Sequence, residues 1–283
     1  MSKKGFDLIQ AMQVKFSQSK RLLYLLSIPL AIVVYALGVV SIFNIPRGLL
    51  GAVAILALVL QIAAFLTRQL SRRRMNEGEE IRRMAMLQDG LGENFSHIEL
   101  AAAGLCMGKN REPAFLSPYY DSEEKPGWRR LIDITAECAH FTHSVANIIA
   151  VVLGVAVLIL VVVAIAILLF AMQAIEDVTT REIIAKIITL TITSWAVGDL
   201  ATIWLQFYSL SQESKQILSE CNGALKTVDV SENQGMALFT SYNCAVGQAP
   251  PLPSWAYKLA QPALNQSWRD SRNIPDIEKR EES

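Results

Sequence analysis

Three stretches of the chain, Leu22 to Phe43, Gly48 to Leu66 and Ala146 to Gln173, contain no Asp, Glu, Lys or Arg. A helix of about 20 apolar residues crosses the roughly 30 Å hydrocarbon core of a bilayer, so each stretch predicts a transmembrane helix. A fourth, Ile187 to Leu210, is interrupted by one carboxylate, Asp199, and by Thr189, Thr191, Thr193, Ser194, Thr202 and Gln206; it also reads as a span. The turn Asn44 to Arg47 is so short that the first two spans must form a tight antiparallel hairpin. The expected class is an all-α membrane protein with four transmembrane helices at about 22–43, 48–66, 146–173 and 187–210, and a cytoplasmic helical region. A signal peptide carries an apolar run of about 7–15 residues. The first run here is longer and leads directly into a second, so it is expected to stay in the mature protein.

Between the spans the polar pattern becomes helical. Arg82, Arg83, Met84, Leu87 and Leu91 fall on helical spacing and predict a helix continuing span two, before Gly90 and Gly92 interrupt it. The stretch Lys109 to Gly127, with Pro113, Pro118 and Pro126, reads as an irregular linker, after which Trp128 to Val145 resumes a helix that enters span three. Beyond span four, Ser211 to Lys226 and Val230 to Cys244 read as helices. Ala249 to Pro253 then bends the chain, Ser254 is an N-cap candidate, and Pro262 is expected to split the last helix, Trp255 to Arg269, into two pieces. The expected division is 1–66 with the first hairpin, 67–145 cytoplasmic, 146–210 the second hairpin, 211–269 cytoplasmic helices and 270–283 a disordered tail.

Charge orients these elements. Lys3, Lys4, Lys15, Lys20 and Arg21 precede span one, and Arg68, Arg72, Arg73 and Arg74 follow span two, whereas the intervening turn carries a single Arg. The positive-inside rule then places both termini and the long middle segment in the cytoplasm. Composition agrees with the class: over 283 residues 52% are hydrophobic, 18% are charged and the mean hydropathy is +0.32. A formal net charge of zero argues against a nucleic-acid polymer as partner. Four cysteines (106, 138, 221 and 244) form no CxxC pair and on the cytoplasmic side should be reduced. No cofactor and no metal are expected, and without a nucleophile-base pair, a phosphate loop or a metal cluster an enzyme is the least favoured class.

Two clusters carry candidate chemistry. Tyr119, Tyr120 and Trp128 stand beside Arg129 and Arg130; aromatic faces can stack bases and guanidinium groups can hold phosphate, which makes these five the candidate trigger or ligand residues. An interfacial aromatic belt is disfavoured because Trp128 lies 18 residues before Ala146, about 27 Å along a helix. Packing of a cytoplasmic helical bundle is the favoured reading of the same residues. On span four, at 100° per residue, Thr191, Ser194, Gly198, Thr202, Gln206 and Ser209 share one face with Asp199 on its flank, the candidate lining of a pore. The alternative is that the small residues pack helices and Asp199 bonds a neighbour such as Gln61. Glu137, His140 and His143 recur every three residues, which suggests a metal or a pH-sensitive patch; the order is not HExxH and the spacing drifts around the helix, so polar helix contacts are the favoured reading.

At Pro118-Tyr119-Tyr120-Asp121-Ser122, Gly127, Arg130-Leu131 and Glu137-Cys138-Ala139-His140-Phe141-Thr142, the chain resembles the SMODS-associated four-transmembrane effector family of bacteria. The run Ala249-Pro250-Pro251-Leu252-Pro253-Ser254-Trp255-Ala256-Tyr257, then Leu264-Asn265 and Trp268, is similar to that family's ending. SMODS denotes second-messenger oligonucleotide or dinucleotide synthetases, and members are regarded as pore-forming effectors in antiphage conflict systems. The resemblance implies a membrane effector of the bacterial inner membrane, triggered by a nucleotide second messenger, such as a cyclic oligonucleotide from a neighbouring nucleotidyltransferase, or by a partner. Four helices enclose no wide lumen, so a pore requires a homo-oligomer within the lipid bilayer. A small ion-coupled transporter or exporter subunit using Asp199, and a non-conducting sensor or scaffold, are the other two readings.

Overall fold

The computed structural model describes residues 8–42, 47–93, 95, 120–173, 180–227 and 229–272. Helix α1 (Leu8–Lys20), a π-helical stretch (Arg21–Ser27) and α2 (Ile28–Ile42) run on as one helix. They are followed by α3 (Arg47–Leu91), α4 (Trp128–Gln173), α5 (Thr180–Leu225), α6 (Glu232–Gln248) and α7 (Ser254–Arg272), with no strand among the described residues. Among the described residues three helical stretches, Leu8–Leu37, Gly51–Leu91 and Trp128–Val163, are long and apolar enough to cross a membrane. At 1.5 Å per residue α3, α4 and α5 are each close to 70 Å long, more than twice the hydrocarbon thickness, so an apolar span is continuous with a polar helix in α3 and α4. The expected fourth span, 187–210, lies in α5, where the side chains of 180–197 are outside the described set.

The chain forms two compact units from interleaved segments. One takes Met12–Gly78 and Ile149–Phe207; the other takes the start of α1, Glu79–Ile148, and the chain from Tyr208 to the end of α7.

In the first unit the large aliphatic side chains point outward. Ile55, Leu58, Val59 and Ile62 on α3 and Val151, Val155, Leu158, Ile159 and Val162 on α4 are exposed, as a hydrocarbon solvent allows, while small residues such as Val34, Ala57, Ala31 and Ala64 are buried. Ser19, Leu23, Ser27 and Ala31 are buried at intervals of four. In an α-helix that spacing overshoots each turn by about 40°, and the wider π turn offsets the drift. The shared face is fixed by hydroxyls: Ser19 Oγ donates to the Ser71 carbonyl and Ser71 Oγ to the Ser19 carbonyl, both at 2.8 Å, and Ser27 Oγ donates to the Ala64 carbonyl at 3.0 Å. Gly154 admits the Trp204 indole, since a Cβ there would lie 2.8 Å from Nε1.

The second unit has a conventional apolar core. Leu131, Ile132, Ile134 and Ala139 of α4 are buried, as are Ile81 and Met86 of α3, Leu210, Ile217 and Cys221 of α5, and Leu238, Phe239 and Tyr242 of α6. Here α4 and α5 are antiparallel, with Arg129 reaching the Leu225 carbonyl (2.9 Å) and His143 the Ser211 carbonyl (2.8 Å).

Three expectations are corrected. Gly90 does not interrupt α3; it stays helical because its missing Cβ lets Leu131 approach, and the helix ends at Gly92 with φ +74°. Pro262 does not split the last helix, because it lies on the exposed side while Ala256, Ala260, Leu264 and Trp268 are buried at intervals of four; their packing offsets the roughly 3 kcal/mol a helical proline costs. That helix also extends into the stretch read as tail, to Arg272, where Gln266 Nε2 donates to Asp270 (2.9 Å) and Ser271 Oγ to the Trp268 carbonyl (2.7 Å).

Candidate functional site

On α5, Gly198, Thr202 and Ser209 are exposed and Gln206 is half-buried, while Ile203, Phe207 and Leu210 form the buried side. Thr202 Oγ donates back to the Gly198 carbonyl at 2.8 Å, which lets a hydroxyl sit on the face without an outside partner. Ser209 Oγ donates to Glu213 at 2.6 Å. The side chains of Thr191 and Ser194, assigned to the same face, lie outside the described residues.

Asp199 stands at the edge between the two sides and turns both oxygens toward α3. Its Oδ1 pairs with Arg68 Nη1 at 2.9 Å, and Oδ2 faces Gln61 Nε2 at 3.4 Å. The Gln61 contact matches the packing alternative. Arg68 was missed: by sequence it belongs to the basic tract after span two, although a carboxylate in an apolar helix calls for a cation within reach. The network is only partly satisfied. Arg68 Nε and Nη2, the edge that can grip two oxygens at once, and Gln61 Oε1 are buried with no hydrogen-bond partner among the described residues. Gln61 and Arg68 also set the level of Asp199, near the end of the 48–66 stretch that carries the arginines rather than at its middle.

The aromatic and arginine cluster is held by main chain. Tyr119 lies outside the described residues, Tyr120 is buried, and Trp128 packs on Gly235, where a Cβ would come within 2.8 Å of the indole. Arg129 donates to the carbonyls of Leu225 (2.9 Å) and Thr227 (3.1 Å) and to Glu124 (2.9 Å), satisfying carbonyls left open at the end of α5. Arg130 donates to the Asp89 carbonyl and carboxylate (both 2.9 Å) and to the carbonyls of Ser122 and Glu124 (2.7 and 2.6 Å). Every nitrogen of both guanidinium groups has a protein acceptor, so the two are brought together as braces and not as an open phosphate cradle.

Glu137, His140 and His143 do not converge. Glu137 accepts the Asp121 N–H at 2.9 Å; His143 Nδ1 lies 2.8 Å from the Ser211 carbonyl, which places the proton on Nδ1; and the His140 ring lies 5.5 Å from that of Trp268. Burial and the neighbouring His143 push the His140 pKa down. No cluster that could hold a metal occurs among the described residues.

A buried ionic network in this unit had only an i,i+3 signal. Arg82 binds Glu79 (Nη2 to Oε2, 2.6 Å), Asn243 Oδ1 (2.7 Å) and Met86 Sδ (3.2 Å), with its guanidinium 4.8 Å from the Tyr242 ring centre. Burial would lower its pKa, but Glu79 and the surrounding groups more than reverse this and raise it. The Cys138 thiol is pushed up to about 12, first by burial, and stays an inert thiol at neutral pH. Compared with known proteins, the chain matches no family model, no curated protein and no solved structure.

Proposed function

We propose that the chain is a membrane effector of a bacterial antiphage system, which permeabilises the inner membrane as a homo-oligomer in response to a nucleotide second messenger or a partner. The carrying observation is the α5 face within the apolar unit: Gly198 and Thr202 are small or polar, exposed in the single chain beside an exposed Leu205, and set opposite the packed Ile203 and Phe207. In this reading α5 supplies the fourth span and several copies turn that face toward a common lumen. The motif resemblance to the SMODS-associated effectors supports the same function. Asp199 is the hinge point of the proposal, because its pair with Arg68 ties α5 to α3 and any opening that moves one helix against the other must carry or break it. A trigger shifts the assembly only by binding the open form better than the closed one.

Purified protein in dye-loaded liposomes and in planar bilayers, with and without cyclic dinucleotides, tests the reading. Dye release and stepwise currents that rise with protein density, and fall in Thr202→Leu, are expected. Saturable ion-coupled flux would instead favour the transporter reading, for which the Asp199–Arg68 pair in an apolar setting is the supporting observation. Neither flux nor current would leave a non-conducting scaffold.

A further inference from the structure

Helix α7 carries three faces. Ala256, Ala260, Leu264 and Trp268 are buried. At about 100° per residue, Trp255, Leu259, Pro262 and Ala263 fall on one flank of that buried face, and Lys258, Gln261 and Asn265 on the other. The first flank is exposed, Trp255 at 49% and Leu259 at 69%, and from Trp255 to Ala263 it holds no charged residue.

Two ring contacts fix how α7 lies on α4. His140 is 5.5 Å from Trp268 and Phe141 is 6.4 Å from Tyr257, centre to centre. His140 and Phe141 are consecutive, about 1.5 Å apart in height, whereas Tyr257 and Trp268 stand about 16 Å apart along α7. Helix α7 therefore lies across α4, not along it. Tyr257 fixes its rotation, because this residue stands on the edge of the buried face next to Lys258 and Gln261. Burial, then the Glu137 carboxylate and Cys138, push the Tyr257 pKa up, so that edge faces the turn of α4 before Phe141. The edge with Trp255 and Leu259 is turned the other way, toward Ala146, where the charge-free stretch of α4 begins. From Phe141 to Ala146 is about 7.5 Å of helix rise, and a helix with its side chains reaches about 5–6 Å from its axis. The apolar flank thus comes within a few ångströms of that level, in reach of a headgroup layer about 5–7 Å deep on each side of the hydrocarbon.

We propose that α7 is an interfacial helix that lies on the lipid headgroups, with Trp255 and Leu259 set among them and Lys258 and Gln261 left in water. Tryptophan beside an aliphatic residue, opposite a polar flank, is the chemistry that such a layer favours. A second copy of the chain fits less well, because one Trp, one Leu, a Pro and an Ala offer far less than the roughly 800 Å² per partner that a stable interface buries. The inference rests on α4 crossing the bilayer, and on no claim about a pore or a trigger.

The test uses full-length protein in liposomes of phosphatidylcholine and phosphatidylglycerol, with a photo-reactive benzophenone amino acid in place of Leu259 or of Gln261 and the adducts read by mass spectrometry. Both side chains are exposed, so neither replacement disturbs packing. Lipid adducts are expected at Leu259 and none at Gln261. No lipid adduct at Leu259, or equal adducts at the two positions, overturns the placement. So does a crosslink from Leu259 to a second chain, which would make the flank a contact between copies. Alkaline extraction is run in parallel: a wild-type chain released from membranes overturns the crossing by α4 and the placement with it, whereas a retained chain without lipid adducts overturns the placement alone. If the Leu259 variant itself fails to insert, the same replacement at Trp255, on the same flank, should insert and label lipid; absence of a lipid adduct there overturns the placement.

Discussion

Replacing Arg82 by Met would leave the Glu79 carboxylate 4% exposed with its cation gone and Asn243 without its charged donor. Breaking a buried pair by removing one partner costs about 3–5 kcal/mol, so Arg82→Met should lower the unfolding midpoint in detergent by many degrees. A variant that melts with wild type would show that the network is not holding the unit together. Asp199→Asn poses a milder case, because Arg68 and Asp199 keep 16% and 20% of their side-chain surface exposed and solvent screens the pair. A loss of about 1–2 kcal/mol is expected, recovered in part by adding Arg68→Gln, and because both Asp199 oxygens face α3 the reversal potential of any conducting assembly should not move. A drop in cation selectivity in Asp199→Asn would put the carboxylate in the lumen after all. At this scale the sequence was least informative: it flagged Asp199 as costly but gave the arginines to the membrane boundary and to phosphate, since pairing across 131 positions leaves no local pattern.

Elements were far more legible, because length without charge is a property of consecutive residues. The apolar stretches 48–66 and 146–173 lie within α3 and α4 as read, and the polar extensions of both helices were readable from helical spacing. The π-helical stretch was not, since what demands it is a partner's register, the seven-residue step from Ala64 to Ser71, and not anything within Arg21–Ser27. Pro262 misled for a similar reason: the local cost was visible and the packed face at 256, 260, 264 and 268 became visible only with the fold. The contact of α4 with α7 yields a pH dependence. His140, beside Trp268, has a pKa lowered by burial and by His143, so the unfolded chain binds the proton more readily. Its contribution is then complete above the unfolded value of about 6.5 and is lost as pH falls from there through the folded value. Melting curves between pH 8 and 5.5 should show falling stability on acidification, with a shallower slope in His140→Gln; an identical slope would assign the effect elsewhere. Glu77, whose pKa is lowered mainly by Lys15, acts only at more acid pH, below its ordinary 4.5.

For the whole molecule the antiparallel run of α4 and α5 bears on topology. Arg129 near the start of α4 grips the Leu225 carbonyl at the end of α5, and a chain that leaves along α4 therefore returns along α5 to the end from which it set out. Within the apolar unit the same two helices meet again at Gly154 and Trp204. If α4 crosses the bilayer, the proposed fourth span along α5 returns the chain across it, and with the proposed first hairpin the number of spans is even and the two termini share one side. The proposed topology takes that side as cytoplasmic, because the positive-inside rule assigns it the arginines after residue 66. A reporter active only outside the cytoplasm should be silent when fused after Trp268 and active when inserted near Thr179. Three spans would reverse the first result while leaving the second, because the C-terminal helices would then face out; both reporters silent would mean that neither α4 nor α5 crosses. The pattern of silent then active is the one that a paired crossing by α4 and α5 requires.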